Sequence, residues 1–158
     1  WTFSLGAGAP AGAAITTNGV FTWTPSEAQG PGTYAITVVV TDDGDPTQSA
    51  SNTFTVTVNE VNTAPTMPLI TNRTVIAGTP ITFTAIGSDA DLPTQTLTFT
   101  LAPGAPEGAT ITPGGFFSWT PTGSQAPSTN VIRVKLTDDG PPPMSKTMQA
   151  LRAAGPWR

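Results

Sequence analysis

The sequence predicts an all-β chain built from two tandem β-sandwiches, the first truncated at its N-terminus. Three observations carry that prediction. Short runs alternate apolar with polar, Thr-rich positions, as in Leu97-Thr98-Phe99-Thr100-Leu101, the period of a strand with one buried face. Clusters of Gly, Pro and Asn separate these runs, among them Asn18-Gly19 and Gly114-Gly115, which suit turns that need positive φ. The chain also repeats itself at a constant interval of 96 residues, so that Phe21-Thr22-Trp23-Thr24-Pro25 returns as Phe117-Ser118-Trp119-Thr120-Pro121. Over residues 1–46 that shift gives 25 identities in 46 positions, a density that marks duplication rather than shared composition. An interval of this size suits one β-sandwich.

Taken in order, residues 1–5 form a first strand whose counterpart is residues 97–101, and Trp1 is a core residue whose partners are missing. Phe21 and Trp23 alternate on one strand, as do Phe117 and Trp119, so both pairs are expected to face a core. Exposed on a loop, the tryptophans would instead be platforms for sugar rings. Ile36-Val38-Val40 and Phe54-Val56-Val58 are further strands, and the Thr-Val run of the second ends at residues 59–65. That seam makes residues 1–62 the C-terminal part of one repeat and 63–147 a second repeat. Segments at residues 68–76 and 81–86 read as strands that precede the Leu97 strand and have no counterpart in the first copy. The first copy therefore holds five of seven strands, with unpaired edges and half a core. Ile132-Val134-Leu136 matches Ile36-Val38-Val40, but Ala150, Arg152 and Ala154 stand where Phe54, Val56 and Val58 should recur. Residues 148–158 are thus a divergent tail, with a trace of helical periodicity over 148–154. They read as a truncated or frame-shifted end in place of a working last strand.

Composition narrows the chemistry. Charged residues make up 10% of the chain, against about 25% in an average globular protein. The sequence has no Cys and no His, which removes disulfides, thiolate zinc sites, the usual nucleophile–base pairs and the commonest metal ligand. Any metal would be a hard cation held by oxygen. The formal net charge is −4, with acidic clusters at residues 42–45, 89–91 and 138–139. No basic patch with interleaved aromatics is present, so nucleic acid is not an expected partner. No apolar run approaches the ~20 residues of a membrane span. Asp89 and Asp91 lie two apart in a loop with no sign of a cleft, unlike the paired carboxylates of a glycoside hydrolase, and the chain is read as non-enzymatic. It begins at Trp1 and reads as a fragment of a longer protein.

Thr41-Asp42-Asp43-Gly44-Asp45-Pro46, residues 57–65, Gly87-Ser88-Asp89-Ala90-Asp91 and residues 115–121, in this order, resemble bacterial cadherin-like repeats, including the dystroglycan-type cadherin-like and Ig-like domains of large surface proteins. The resemblance covers the chain to about residue 147. It implies tandem Greek-key Ig-like/cadherin-like sandwiches outside the cell, with neighbouring repeats of the same chain as partners. In cadherins, acidic residues from both sides of a domain junction bind calcium. Carried over, the Ca2+ ligands would be Glu60 and Asn62 in the linker, Asp89 and Asp91 as the Asp-x-Asp loop, Asp138 before the last strand, and Glu27 from the preceding domain. Two departures stand out. Thr63 occupies the position where the family linker has Asp, and the linker is one residue shorter. Asp43, Asp45 and Asp139 fit turns, and turn-capping is the alternative reading of the other acidic residues too. The implied function is a non-catalytic extracellular adhesion or spacer repeat, rigidified by calcium. The alternative is a carbohydrate- or protein-binding accessory module of a secreted polysaccharide-degrading enzyme.

Overall fold

In a computed structural model, which describes the backbone of residues 1–154 and side chains through residue 149, the 96-residue interval recurs in the backbone. A first unit, Trp1–Val61, holds strands β1 (Thr2–Leu5), β2 (Ala14–Ile15), β3 (Phe21–Thr22), β4 (Gly32–Thr41) and β5 (Ser49–Val58). A second unit, from Asn62 onward, holds β6 (Ile81–Thr84), β7 (Thr98–Leu101), β8 (Thr110–Ile111), β9 (Phe116–Trp119), β10 (Thr129–Thr137) and β11 (Ser145–Ala154). The division lies one residue before the expected seam. Strands β1 to β5 correspond to β7 to β11, and β6 has no counterpart in the first unit.

The second unit is a sandwich of two antiparallel sheets, ordered β11–β10–β7 and β6–β9–β8. Period-two alternation sends Phe99, Ile132, Val134 and Leu136 of one sheet and Ile81, Phe117 and Trp119 of the other into a single core, which Met67 and Ala85 complete. Phe83 stacks on Phe117 with ring centroids 4.6 Å apart. The turn before β9 needs the left-handed conformation that glycine adopts without cost: Gly115 sits at φ 91° and its counterpart Gly19 at φ 89°.

Two expectations need correction. Residues 68–76 form no strand: Pro68 has no N–H to give a ladder, and pairing in this region is limited to an isolated bridge between Thr66 and Ser88. Ile70 and Val75 nevertheless pack against the core. Residues 148–154, helix-like in pattern and expected to have lost the last strand, form the end of β11, as far as Ala154. The main-chain edge of β10 dictates this pairing, because ladder hydrogen bonds do not depend on side-chain alternation. The register follows that of β4–β5 from Thr137↔Ser145 to Arg133↔Gln149, then slips by one, so that Ile132 faces Leu151 rather than Ala150. The rest of the tail, 155–158, lies outside the described residues.

The first unit comprises the antiparallel sheet β1–β4–β5 and the hairpin β2–β3. Its one fully buried apolar side chain is Ile36, and Trp1 is 83% exposed. The tryptophans have a structural task in both units. Trp119 Nε1–H donates to Glu107 O (3.2 Å), which also accepts from Gln125 Nε2 (3.1 Å); Trp23 and Gln29 do the same with Ala11 O. Gln125 and Gln29 belong to 3₁₀ turns, Gly123–Gln125 and Glu27–Gln29, each closed by a capping box.

Candidate cation site at one end of the second repeat

Three segments of the second unit converge: the linker at Asn62 and Thr63, the loop carrying Asp89, Asp91 and Gln95, and the β10–β11 loop beginning at Asp138. The linker is anchored by its C-terminal neighbours. Pro65 is fully buried, Met67 enters the core, and Thr66 exchanges backbone hydrogen bonds with Ser88 (2.8 and 3.0 Å). Asn62 and Thr63 are thereby held against the Asp-x-Asp loop.

Asp138 closes the β10–β11 loop. Its Oδ1 accepts hydrogen bonds from Met144 N–H (2.8 Å), Gly140 N–H (3.1 Å) and Asn62 Nδ2 (3.1 Å). Asp42 does the same job in the first unit, with Gln48 N–H (2.8 Å) and Gly44 N–H (3.2 Å). Burial raises the Asp138 pKa, but the bonds from Met144, Asn62 and Gly140 outweigh it and hold the carboxyl below its ordinary value. Gly140 leaves room for the Asn62 amide, which a Cβ at that position would overlap.

Asp91, 4% exposed, accepts from Thr63 twice, at Oδ2 from the backbone N–H (2.8 Å) and at Oδ1 from the hydroxyl (2.6 Å). Gln95 Nε2 donates to Asn62 Oδ1 (2.6 Å) and to Asp91 Oδ2 (3.3 Å). Asp89 Oδ1 accepts from Asp91 N–H (3.1 Å). Asp139 Oδ1 accepts from Thr96 N–H (2.7 Å), the turn role its sequence suggests.

This network leaves particular atoms over. Asp89 Oδ2, Asp138 Oδ2 and Gln95 Oε1 are buried and meet no hydrogen-bond donor among the described residues. Buried oxygens without donors are costly, and a hard divalent cation, which takes six to eight oxygens at about 2.3–2.6 Å, is the kind of partner that satisfies them. The donor set of carboxylates and amide carbonyls fits calcium in kind.

The six residues predicted as ligands therefore fall into two groups. Asn62, Asp89, Asp91 and Asp138 join one network in the second unit. In the first unit, Glu27 in its 3₁₀ turn and Glu60 after β5 bring carboxylate oxygens within 4.8 Å of each other. Sequence reasoning missed Gln95, a neutral amide with nothing to flag it. It saw Thr63 only as a departure, whereas the threonine supplies the two shortest hydrogen bonds to Asp91, 2.8 and 2.6 Å.

Residues 1–59 match the model of the family described as "Putative Ig domain". A search of curated proteins finds no significant match. Among solved structures, the chain is similar to the protocadherin GammaB4 extracellular domain, with 22% identity and TM-score 0.61, covering 99% of this chain and 28% of that one. It is likewise similar to mouse cadherin-23 EC22-24, with 21% identity and TM-score 0.63 over 98% of this chain and 52% of that one. Drosophila N-cadherin EC1-4 shows 18% identity and TM-score 0.62 over 99% and 40%. The chain thus spans between about a quarter and a half of these structures, and the likeness is one of fold.

Proposed function

We propose that this chain, which is made of cadherin-like and Ig-like β-sandwich repeats, is a non-catalytic adhesion and spacer segment of a longer extracellular protein, rigidified by calcium. One observation carries the calcium part: the buried carboxylates among the described residues, Asp91 and Asp138, sit at the same end of one repeat, beside carboxylate and amide oxygens that lack donors. Asn62, Asp89, Asp91 and Asp138 would hold an ion at the second repeat, and Glu27 and Glu60 are a separate pair of candidate ligands within the first. Carboxylates gathered together repel each other, and a divalent cation turns that repulsion into attraction. An ion bound only by the folded form raises stability by mass action.

The spacer role is supported by the surface of β5, where Ser49, Ser51, Asn52, Thr53, Thr55 and Thr57 are all exposed. Placement outside the cell is supported by likeness to extracellular cadherin domains. Among the described residues no helix is long and apolar enough to cross a membrane. Trp119, 1% exposed, is not available as a sugar platform, which disfavours the carbohydrate-binding alternative. Small-angle scattering of the chain with calcium and with chelator tests the reading. A narrower distribution of interatomic distances in calcium supports a rigidified spacer, and superimposable curves contradict it.

A further inference from the structure

Two neutral carboxamides, Asn62 and Gln95, stand in the middle of the second unit's acidic network. An amide NH2 has two hydrogens to give, and both side chains use both. Gln95 Nε2 donates to Asn62 Oδ1 (2.6 Å) and Asp91 Oδ2 (3.3 Å). Asn62 Nδ2 donates to Asp138 Oδ1 (3.1 Å) and Pro142 O (2.8 Å). The result is one continuous hydrogen-bonded chain, Asp91–Gln95–Asn62–Asp138. Its two ends are buried acids, each 4% exposed, and it ties the linker to both loops.

Gln95 Nε2 therefore bridges two oxygens of residues that would hold an ion. A cation bridging Asn62 Oδ1 and Asp91 Oδ2 and an amide nitrogen bridging the same pair exclude one another. The amide is also held on one side only. Gln95 Oε1 is buried and meets no donor among the described residues, so the two Nε2 bonds are the hydrogen bonds that would be lost when the carboxamide turns away. Asp89 Oδ2 and Asp138 Oδ2, buried and equally without donors, are the oxygens that draw a cation in. Affinity for it is reduced by the fraction of molecules in which the amide is docked.

We propose that Gln95 is a built-in competitor for the cation and sets the affinity of this site. Its amide closes the end of the repeat by itself, through donors that carry partial positive charge, and gives way to calcium, which does the same with full charge. The inference rests on the reading of this network as a calcium site, and on residues 62–142 alone.

The test uses the 158-residue chain and its Gln95→Met and Gln95→Lys variants, with calorimetric calcium titration and hydrogen exchange. Methionine keeps the length of the side chain and removes both donors. Gln95→Met should exchange its β10 amides faster in chelator, yet bind calcium roughly tenfold more tightly, the factor that one hydrogen bond to a charged group is worth. A residue with a structural role alone would lower stability and affinity together. Gln95→Lys sets a permanent cation between the same acceptors, so it should stay folded in chelator and bind calcium at least about tenfold more weakly. In the unsubstituted chain the Gln95 Nε2 hydrogens, followed by NMR, should exchange slowly in chelator and at the rate of a free amide in calcium. Weaker or unchanged calcium binding by folded Gln95→Met overturns the proposal, and so does equal protection of the Gln95 hydrogens in both conditions. Where Gln95→Met does not fold in chelator, the exchange measurement on the unsubstituted chain decides. Calcium binding with Gln95 undisturbed removes this inference alone, whereas a chain that binds no calcium removes the calcium reading and this inference with it.

Discussion

Replacing Trp119 and Trp23 separately by Ala perturbs the same residue of the same repeat in two different surroundings. Trp119 is 1% exposed and packs among Ile81, Phe117 and Ile132. Deleting a buried aromatic of this size costs about 3–5 kcal/mol. Losing its N–H to Glu107 O adds little, because Gln125 Nε2 still donates to that carbonyl. The second unit should therefore lose about 4 kcal/mol. Trp23 makes the equivalent hydrogen bond to Ala11 O and meets Tyr34 edge-on at 4.9 Å, but it is only half-buried. It loses less apolar contact, and the first unit should fall by about half as much, roughly 2 kcal/mol. Native-state hydrogen exchange at the amides of β4 and β10 reads the two units separately, which a single melting curve would not do. Equal losses, or a larger loss for Trp23→Ala, would refute the claim that the second repeat has the complete core and the first a half-covered one.

Three further outcomes follow from the loop geometry. Gly140→Ala, which drives a Cβ into the Asn62 amide, should cost roughly 1–3 kcal/mol, and Gly44→Ala, where the nearest atom is 3.4 Å away, much less; denaturant unfolding ranks the two. Asp138 and Asp42 both have lowered pKa values, Asp42 through the Gln48 and Gly44 N–H groups. Each carboxylate binds its proton more tightly in the unfolded chain, so its stabilisation is complete above the ordinary value of 3.8 and is lost as pH falls through the lower folded value. Asp138→Asn and Asp42→Asn should flatten the stability profile below about pH 4, read by melting in calcium-free buffer. Thr63→Val removes the hydroxyl that donates to Asp91 and should destabilise the second unit by about 1–2 kcal/mol, with Thr63→Ser recovering most of it.

Much of the architecture was legible because a repeat states its core twice. Phe21 with Phe117 and Ile36 with Ile132 mark inward faces by recurring at the same place in each copy. The end of β11 was not legible: Ala150, Arg152 and Ala154 carry no alternation, and the strand is dictated by the edge of β10 rather than by its own side chains. Residues 68–76 misled in the opposite sense, since apolar residues at Ile70 and Val75 pack without pairing. At the candidate site, Asp89, Asp91 and Asp138 announced themselves as carboxylates in turn sequences. Gln95 and Thr63 did not, because a neutral donor acquires its role only when the fold sets it beside a buried acid.

Calcium binding at Asp89 is measured by calorimetric titration of calcium into the chain and into its Asp89→Asn variant, each shown to be folded in chelator. The native chain should bind calcium in preference to magnesium, melt higher with it, and lose at least about tenfold in affinity when Asp89 loses its charge. No binding heat and the same melting temperature in calcium and in chelator would contradict it.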